Sequence, residues 1–460
     1  MGNGATLRFL GGVGTVTGSK YLLTIGGRQL LLDCGLFQGL KALRLRNWQP
    51  FPFDPARLSG VLLSHAHIDH SGALPLLARQ GLRGPIHCTA GTQSLLGVML
   101  RDAAHLQEEE AGFANRHGFS KHRPALPLYT TQDAEAALRF TRPHRYGEPV
   151  AVVPGVTAVF RRAGHILGSA SVEVACGPRR LVFSGDLGRW DRPILRDPEP
   201  VEEADVLLVE STYGDRVHAP NAAEALAEVA RDSVARGGAL IVPAFAVGRV
   251  QELIWTLRRL EDDGRIPSLP VFLDSPMAID VTEIYCRHPE DHDMDMQVLM
   301  DAGRCPLCCR QYRLVRTVPE SQALNAREGP MIIIAGSGML TGGRVLQHLK
   351  HRLGDERTTV LLPGFQAEGT RGRALQEGAR ELRIHGRFVP VRARVVTLDG
   401  FSAHADREET FRWLGGFRRP PERVYVVHGE PASSLGLAAA IRSRLGWTVE
   451  VPREGQVVEL

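Results

Sequence analysis

The sequence predicts an α/β protein in which one domain is interrupted by another, and three observations carry that expectation. Up to about residue 205 the chain reads as short strands separated by glycine-rich turns. From residue 206 fully apolar strands alternate with helices, the pattern of a mainly parallel sheet covered on both faces. Beyond residue 384 the short strands return. The expected division is therefore 1–205 and 385–460 for the interrupted domain and 206–384 for the insert.

The elements follow in order. Leu7–Leu10, Tyr21–Ile25 and Gln29–Asp33 are apolar or alternating runs broken by Gly-Gly pairs. Val61–Ser64, Val150–Val153, Ala158–Arg162, Ser171–Ala175 and Leu181–Ser184 continue the pattern, with helical periodicity at Ser71–Gln80, Gly91–Gly112 and Gln132–Phe140. In the insert, strands at Val206–Val209, Ala239–Pro243, Val271–Leu273 and Met331–Ala335 alternate with helices at Asn221–Arg236, Arg249–Glu261 and Gly343–Arg352. Arg394–Leu398 and Val424–Val427 are the returning strands, followed by a helix at Ser433–Leu445.

Composition bounds the function. The 460 residues are 43% apolar and 23% charged, which excludes a largely disordered or collagen-like chain. Seven scattered cysteines argue against a secreted disulfide framework, and the apolar runs are too short to cross a bilayer. No apolar signal core is visible near Arg8, so the expected compartment is the cytoplasm, with reduced thiols. The net charge of +4 says little about partners. Only Lys20, Lys41, Lys121 and Lys350 are lysines, so arginine dominates the basic residues, as GC-rich coding alone would produce.

The chemistry concentrates in His65-Ala66-His67-Ile68-Asp69-His70, between an apolar strand and a helix. Three imidazoles and a carboxylate in six residues suit a zinc-like cation and crowd one another without one. His165, Asp186 and His428 share one grammar: each is a single polar residue just past an apolar strand, beside glycine. His404, in Ser402-Ala403-His404-Ala405-Asp406, also fits a cap before a helix at Arg407–Leu414. Glu210 ends an apolar strand. Gly336-Ser337-Gly338-Met339 joins a strand to a helix, where backbone N–H groups can cradle an anion. Cys305-Pro306-Leu307-Cys308-Cys309 is a lone C-x-x-C; Cys286, His288 and His292 could extend it to a structural zinc site, against the plainer reading of packed reduced thiols.

These segments carry a resemblance. Leu32-Asp33-Cys34-Gly35, His65–His70, His165 and Asp186 resemble, in order and spacing, the ligand motifs of metallo-β-lactamase-fold hydrolases. Glu210-Ser211-Thr212-Tyr213-Gly214, Phe401–Asp406 and Val427-His428-Gly429-Glu430 resemble markers of the β-CASP branch, as do Pro243–Arg249, Gly336–Met339 and Ser120–Thr130. The set is similar to RNA-cleaving members such as the cleavage-and-polyadenylation endonuclease and RNase J. The DNA-processing branch lacks a histidine where this chain has His428.

The resemblance implies an αββα sandwich interrupted by an α/β β-CASP domain, with the active site in the cleft between them. It implies two Zn2+ ions as cofactors. His65, His67 and His165 would hold one and Asp69, His70 and His428 the other, with Asp186 bridging and Asp33 fixing a ligand histidine from behind. Asp69, Glu210 and His404 form the candidate catalytic set, with Glu210 orienting His404. Gly336, Ser337 and Gly338 are the candidate contacts to a substrate phosphate, with Lys121, His122, Arg249, Arg371 and Arg373 as further phosphate contacts.

The expected activity is hydrolysis of RNA phosphodiester bonds by a hydroxide activated between two metals, giving 5′-phosphate and 3′-hydroxyl ends. Internal cleavage is the first reading and 5′-exonuclease action a companion to it. A DNA nuclease, a catalytically inactive RNA-binding scaffold and a small-substrate hydrolase are the competing readings. Relatives of this kind often self-associate, so a homodimer is expected, although no interface is legible.

Overall fold

The computed structural model describes residues 4–118 and 120–460. It divides into two compact units. The first comprises the chain up to Arg192 with Arg196–Val217 and His404–Leu460; the second comprises Pro193–Leu195 and His218–Ala403.

Among the described residues, the first unit is built on two seven-stranded sheets. Leu7, Phe9, Leu23 and Leu30 of one sheet pack against Phe160, Val172, Phe183 and Leu208 of the other, all essentially without solvent contact. Strand alternation then sends the opposite faces toward helices. Val182, Leu207, Val209, Val424 and Val426 pack with Trp413, Leu414, Leu437 and Ile441 of the Arg407–Leu414 and Pro431–Leu445 helices. On the other flank the Ala90–His117 helix lies on the Ile86–Thr89 and Thr141–His144 strands. This is the expected αββα sandwich.

The second unit carries a six-stranded sheet in which every described pairing is parallel, the β-CASP architecture expected of the insert. A two-stranded antiparallel hairpin, Glu381–Ile384 with Arg387–Pro390, completes it.

The unit boundaries fall later than residues 205 and 385. Val206–Glu210 pairs with Arg179–Phe183 and Arg423–Val427 inside the sandwich. Its uninterrupted apolarity, read as the start of the insert, arises because Val206 and Leu208 face the neighbouring sheet while Leu207 and Val209 face helices. Conversely, Arg394–Thr397 is a short, partly exposed edge strand that pairs with Thr359–Leu362 of the second unit. Thr141–His144, Gln311–Leu314 and Val457–Glu459 carry no apolar run and give no strand signal in the sequence.

The cysteines correct another expectation. Cys305 and Cys308 form a disulfide across one turn, and Cys309 is a buried free thiol. His292 Nε2 meets the Tyr285 carbonyl and His288 Nδ1 meets Glu290.

Trp413 is 1% exposed and its indole N–H donates to the Glu199 carbonyl. Trp413→Ala should cost about 3–5 kcal/mol by opening a cavity under the second sheet. A urea midpoint equal to that of the unmodified protein would show that this layer does not carry the fold.

Candidate metal centre

The second sheet aligns its functional residues by strand direction. Val156–Arg162, Arg179–Phe183, Val206–Glu210 and Arg423–Val427 all run the same way, as their pairings require. Their carboxyl ends therefore present His165, Asp186, Glu210 and His428 at one edge. The first sheet contributes Asp33 just after Arg28–Leu32 and the histidine loop just after the parallel Leu58–Leu62 strand.

Two sets of donors meet at this edge. In the first, His67 Nδ1 lies 3.2 Å from His65 Nε2 and 3.1 Å from His165 Nε2. Asp186 Oδ2 stands 3.4 Å from His65 Nε2 and 3.6 Å from His165 Nε2. In the second, His70 Nε2 is 3.1 Å from His428 Nε2 and 3.2 Å from Asp186 Oδ1, and Asp69 Oδ2 is 3.6 Å from His428 Nε2. Ligand atoms about 2.0–2.1 Å from a tetrahedral zinc lie roughly 3.4 Å apart, which is the spacing observed. Asp186 thus turns one oxygen to each set, and its buried Oδ1 has no hydrogen-bond partner. The donor chemistry, the spacing and that orphaned oxygen all fit divalent metal.

The electrostatics agree. Burial pushes the His65 imidazole down to about 3 and His67 to about 4, and holds His165 well below its ordinary value. Neutral imidazoles with free lone pairs are what metal binding needs. Burial also works against protonation of His70, but Asp186 and Asp33 outweigh it and raise His70 well above its ordinary value. Burial alone would favour the neutral acid at Asp186. The surrounding imidazoles, His428 first, hold it well below the carboxylate range.

Hydrogen bonds from behind orient the rings. Asp33 Oδ2 accepts from His70 Nδ1 at 2.6 Å and from the Ser64 hydroxyl at 2.7 Å. Having given its proton to Asp33, Ser64 Oγ is left to accept from His65 Nδ1 at 3.0 Å. One buried carboxylate therefore orients a ring in each donor set, turning both Nε2 atoms toward the centre. Backbone at Asp33 adopts a φ of +55°, and Asp33 Oδ1 accepts from Ser64 N. A side chain at Gly35 would place its Cβ 1.5 Å from the Asp69 carbonyl, so only glycine lets this turn pass behind the ligand loop. His428 Nδ1 lies 3.3 Å from Thr212 Oγ1 and 3.2 Å from Asp186 Oδ1. Ser64 and Thr212 were missed in the sequence; the available signal was a hydroxyl residue beside a ligand histidine and another inside the Glu210–Gly214 motif.

His404 Nδ1 meets Glu210 Oε1 at 3.1 Å and lies 3.9 Å from Asp186 Oδ2. Glu210 is fixed by the Leu187 and Thr212 amides. Burial opposes a charge on His404, but Glu210, Asp186 and Asp69 together raise its pKa. The cap of the Arg407–Leu414 helix is Asp406, in a reciprocal pair with Glu409, so His404 is not used for that purpose.

Gly336, Ser337 and Gly338 belong to the second unit. Ser337 has a φ of +82°, and its hydroxyl oxygen accepts from the Thr341 and Gly342 amides, so the turn closes on itself. The following helix starts at Val345. Arg371 donates to the Arg383 and Leu340 carbonyls and Arg373 pairs with Glu377, while Arg249 is buried. Lys121 and His122 are exposed.

Comparisons with known proteins match this architecture. A β-lactamase superfamily domain matches residues 28–236, a β-CASP domain residues 250–375, and a Zn-dependent metallo-hydrolase RNA specificity domain residues 389–452. The chain is 40% identical over 445 residues to Ribonuclease TTHA0252 of Thermus thermophilus, covering 96% of this chain and 97% of that one. It is 32% identical over 449 residues to Transcription termination factor FttA of Methanocaldococcus jannaschii, covering 94% and 68%. A crystal structure of a protein of unknown function from Enterococcus faecalis V583 aligns with a TM-score of 0.56 over 99% of this chain and 100% of that one; at 12% identity it shows the fold alone. The fold is that of a metallo-hydrolase. The chain belongs to the β-CASP family of metallo-β-lactamase-fold ribonucleases, a metal-dependent class of enzyme.

Ser64→Ala removes the link between Asp33 and His65 while leaving every candidate ligand in place. Zinc affinity, read by chelator competition, should fall about 10–100-fold. Unchanged affinity would show that the hydroxyl does not orient the ring.

Proposed function

We propose that the protein hydrolyses internal phosphodiester bonds of RNA with two zinc ions, leaving 5′-phosphate and 3′-hydroxyl ends. In this reading His65, His67 and His165 hold one ion, Asp69, His70 and His428 hold the other, and Asp186 serves both. The observation that carries it is Asp186 facing His65 and His165 with one oxygen and His70 with the other. When bound, the pair supplies Lewis acidity and brings the pKa of water toward neutrality.

The chain's own residues supply the rest. Asp33 and Ser64 keep two imidazoles turned toward the centre. Cleavage forms a bond between a water oxygen and phosphorus and breaks the bond to the 3′-oxygen, which then needs a proton. His404 is the donor in this reading: Glu210 holds its Nδ1 at 3.1 Å and favours the imidazolium. Gly336, Ser337 and Gly338 remain the proposed contacts for a neighbouring phosphate, through backbone amides; the Ser337 oxygen already accepts from the Thr341 and Gly342 amides. RNA rather than DNA is supported by the match to an RNA specificity domain and by the ribonuclease name of the Thermus relative. A cytoplasmic setting is part of the proposal; the five free thiols among the described residues favour it and the Cys305–Cys308 disulfide weighs against it. No described helix is long and apolar enough to cross a membrane. A homodimer is proposed as the assembly, to be read by light scattering.

The decisive experiment incubates the protein with RNA labelled at both ends, with and without chelator, beside a matched DNA. Internal products that vanish with chelator and return with zinc are expected. Release of nucleotides from one end would replace the endonuclease by an exonuclease, cleavage of DNA alone would move the substrate, and RNA binding without products would make the protein a scaffold.

His404→Ala should lower kcat by about 10²–10⁴-fold at unchanged zinc content. Full turnover in that variant would remove His404 from the reaction.

A further inference from the structure

Within the first unit, a cavity of about 460 Å³ has a lining that includes none of the candidate metal ligands. Arg8, Lys20 and Arg46 line it, together with Phe37 and Phe51, against a single acid, Glu454. The volume is that of a small-ligand site. Lys20 is 7% exposed, donates to the Gly18 and Gly35 carbonyls, and lies 4.5 Å from the centre of the Phe37 ring. Arg46 stacks on the same ring at 3.8 Å and pairs with Glu454. The Nε of Arg8 is buried with no hydrogen-bond partner. Three cations and one acid leave the cavity positively charged, with one guanidinium not yet satisfied.

Its rim is built from a segment the catalytic reading does not use. From Leu36 to Phe53 there is no acidic residue, while Lys41, Arg44, Arg46, Trp48, Phe51 and Phe53 bring cations and aromatic rings together. The Lys41–Arg46 helix buries none of its residues. Trp48 is 58% exposed and Leu45 56%, and Trp48 sits between Asn47 and Gln49, which line the cavity. Exposed rings beside a cationic groove are what bind single-stranded nucleic acid: phosphates seek the cations and unpaired bases stack on the rings.

We propose that the Leu36–Phe53 segment and the cavity behind it form a second docking site for single-stranded RNA, a phosphate entering toward Arg8 and Lys20 and a base stacking on Trp48. The proposal rests on the ribonuclease reading and extends it to how substrate is held outside the catalytic edge. The segment is tied to the ligand loop through the backbone: Cys34 N donates to the His70 carbonyl and Leu36 N to the Ile68 carbonyl. At its pKa of about 8, lowered mainly by burial, Lys20 still carries its proton at neutral pH.

The test measures anisotropy of a fluorescein-labelled 20-nucleotide U-rich RNA on full-length protein kept in chelator, so that nothing is cleaved. Trp48→Ala should weaken binding about tenfold, within the range for loss of one stacked base. Arg8→Gln combined with Lys41→Glu should weaken binding and flatten its logarithmic salt dependence by about 0.7 for each phosphate no longer neutralised. Zinc-loaded Trp48→Ala should hydrolyse bis(p-nitrophenyl) phosphate, which is too small to need the second site, at the unmodified rate. Affinity and salt dependence unchanged in both variants would overturn the proposal. So would unchanged affinity with a dimer that Trp48→Ala dissolves, which would make the surface a contact between copies. Unmodified protein that binds RNA through Trp48 yet cleaves none with zinc would sink the ribonuclease reading while leaving the docking site standing.

Discussion

A buried carboxylate cannot stay charged without compensation, and at Asp186 that compensation is uneven. It is 1% exposed and lies among four imidazoles, each within 3.6 Å of one of its oxygens. Removing such a group from water costs several kcal/mol, which the surrounding partners must offset. Burial pushes His65, His67 and His165 toward the neutral form in this setting, so they offset the charge on Asp186 less than cations would. The cluster is thus short of positive charge on one side, which is the electrostatic case for a cation there.

Strand direction makes that cluster achievable. Four strands of the second sheet end at the same edge, so residues as far apart in the chain as His165 and His428 arrive together without long loops. Asp33 reaches in from the first sheet and ties Ser64 and His70 to one carboxylate. The sandwich core between Phe9, Phe160 and Phe183 is built from apolar side chains and can hold the sheets in fixed register. Rigid strands with short polar ends give the placement that loops alone would not.

Much of this was legible. The His65–His70 run, and single polar residues after apolar strands at His165, Asp186 and His428, marked the cluster because such residues are costly to crowd without a purpose. The boundary of the insert was not legible near Val206, because a strand covered on both faces looks the same in an αββα sandwich and in a parallel β-CASP sheet. Arg394–Thr397 misled in the opposite sense: as a four-residue, partly exposed edge strand it looks like the short strands of the other domain. The pairing of Cys305 with Cys308 depends on a turn that no spacing rule fixes.

By itself the sequence determined which residues could serve as donors and which segments would be strands or helices, because those follow from side-chain chemistry and from periodicity along the chain. Only the tertiary structure decided that Asp186 divides its oxygens between two sets of histidines, that Ser64 relays Asp33 to His65, and that the Ser337 oxygen accepts from the amides of its own turn. Each of those facts is a direction in space at a distance of a few ångströms. Such directions are set by how strands from distant parts of the chain are paired and packed, and a linear order of residues does not contain them.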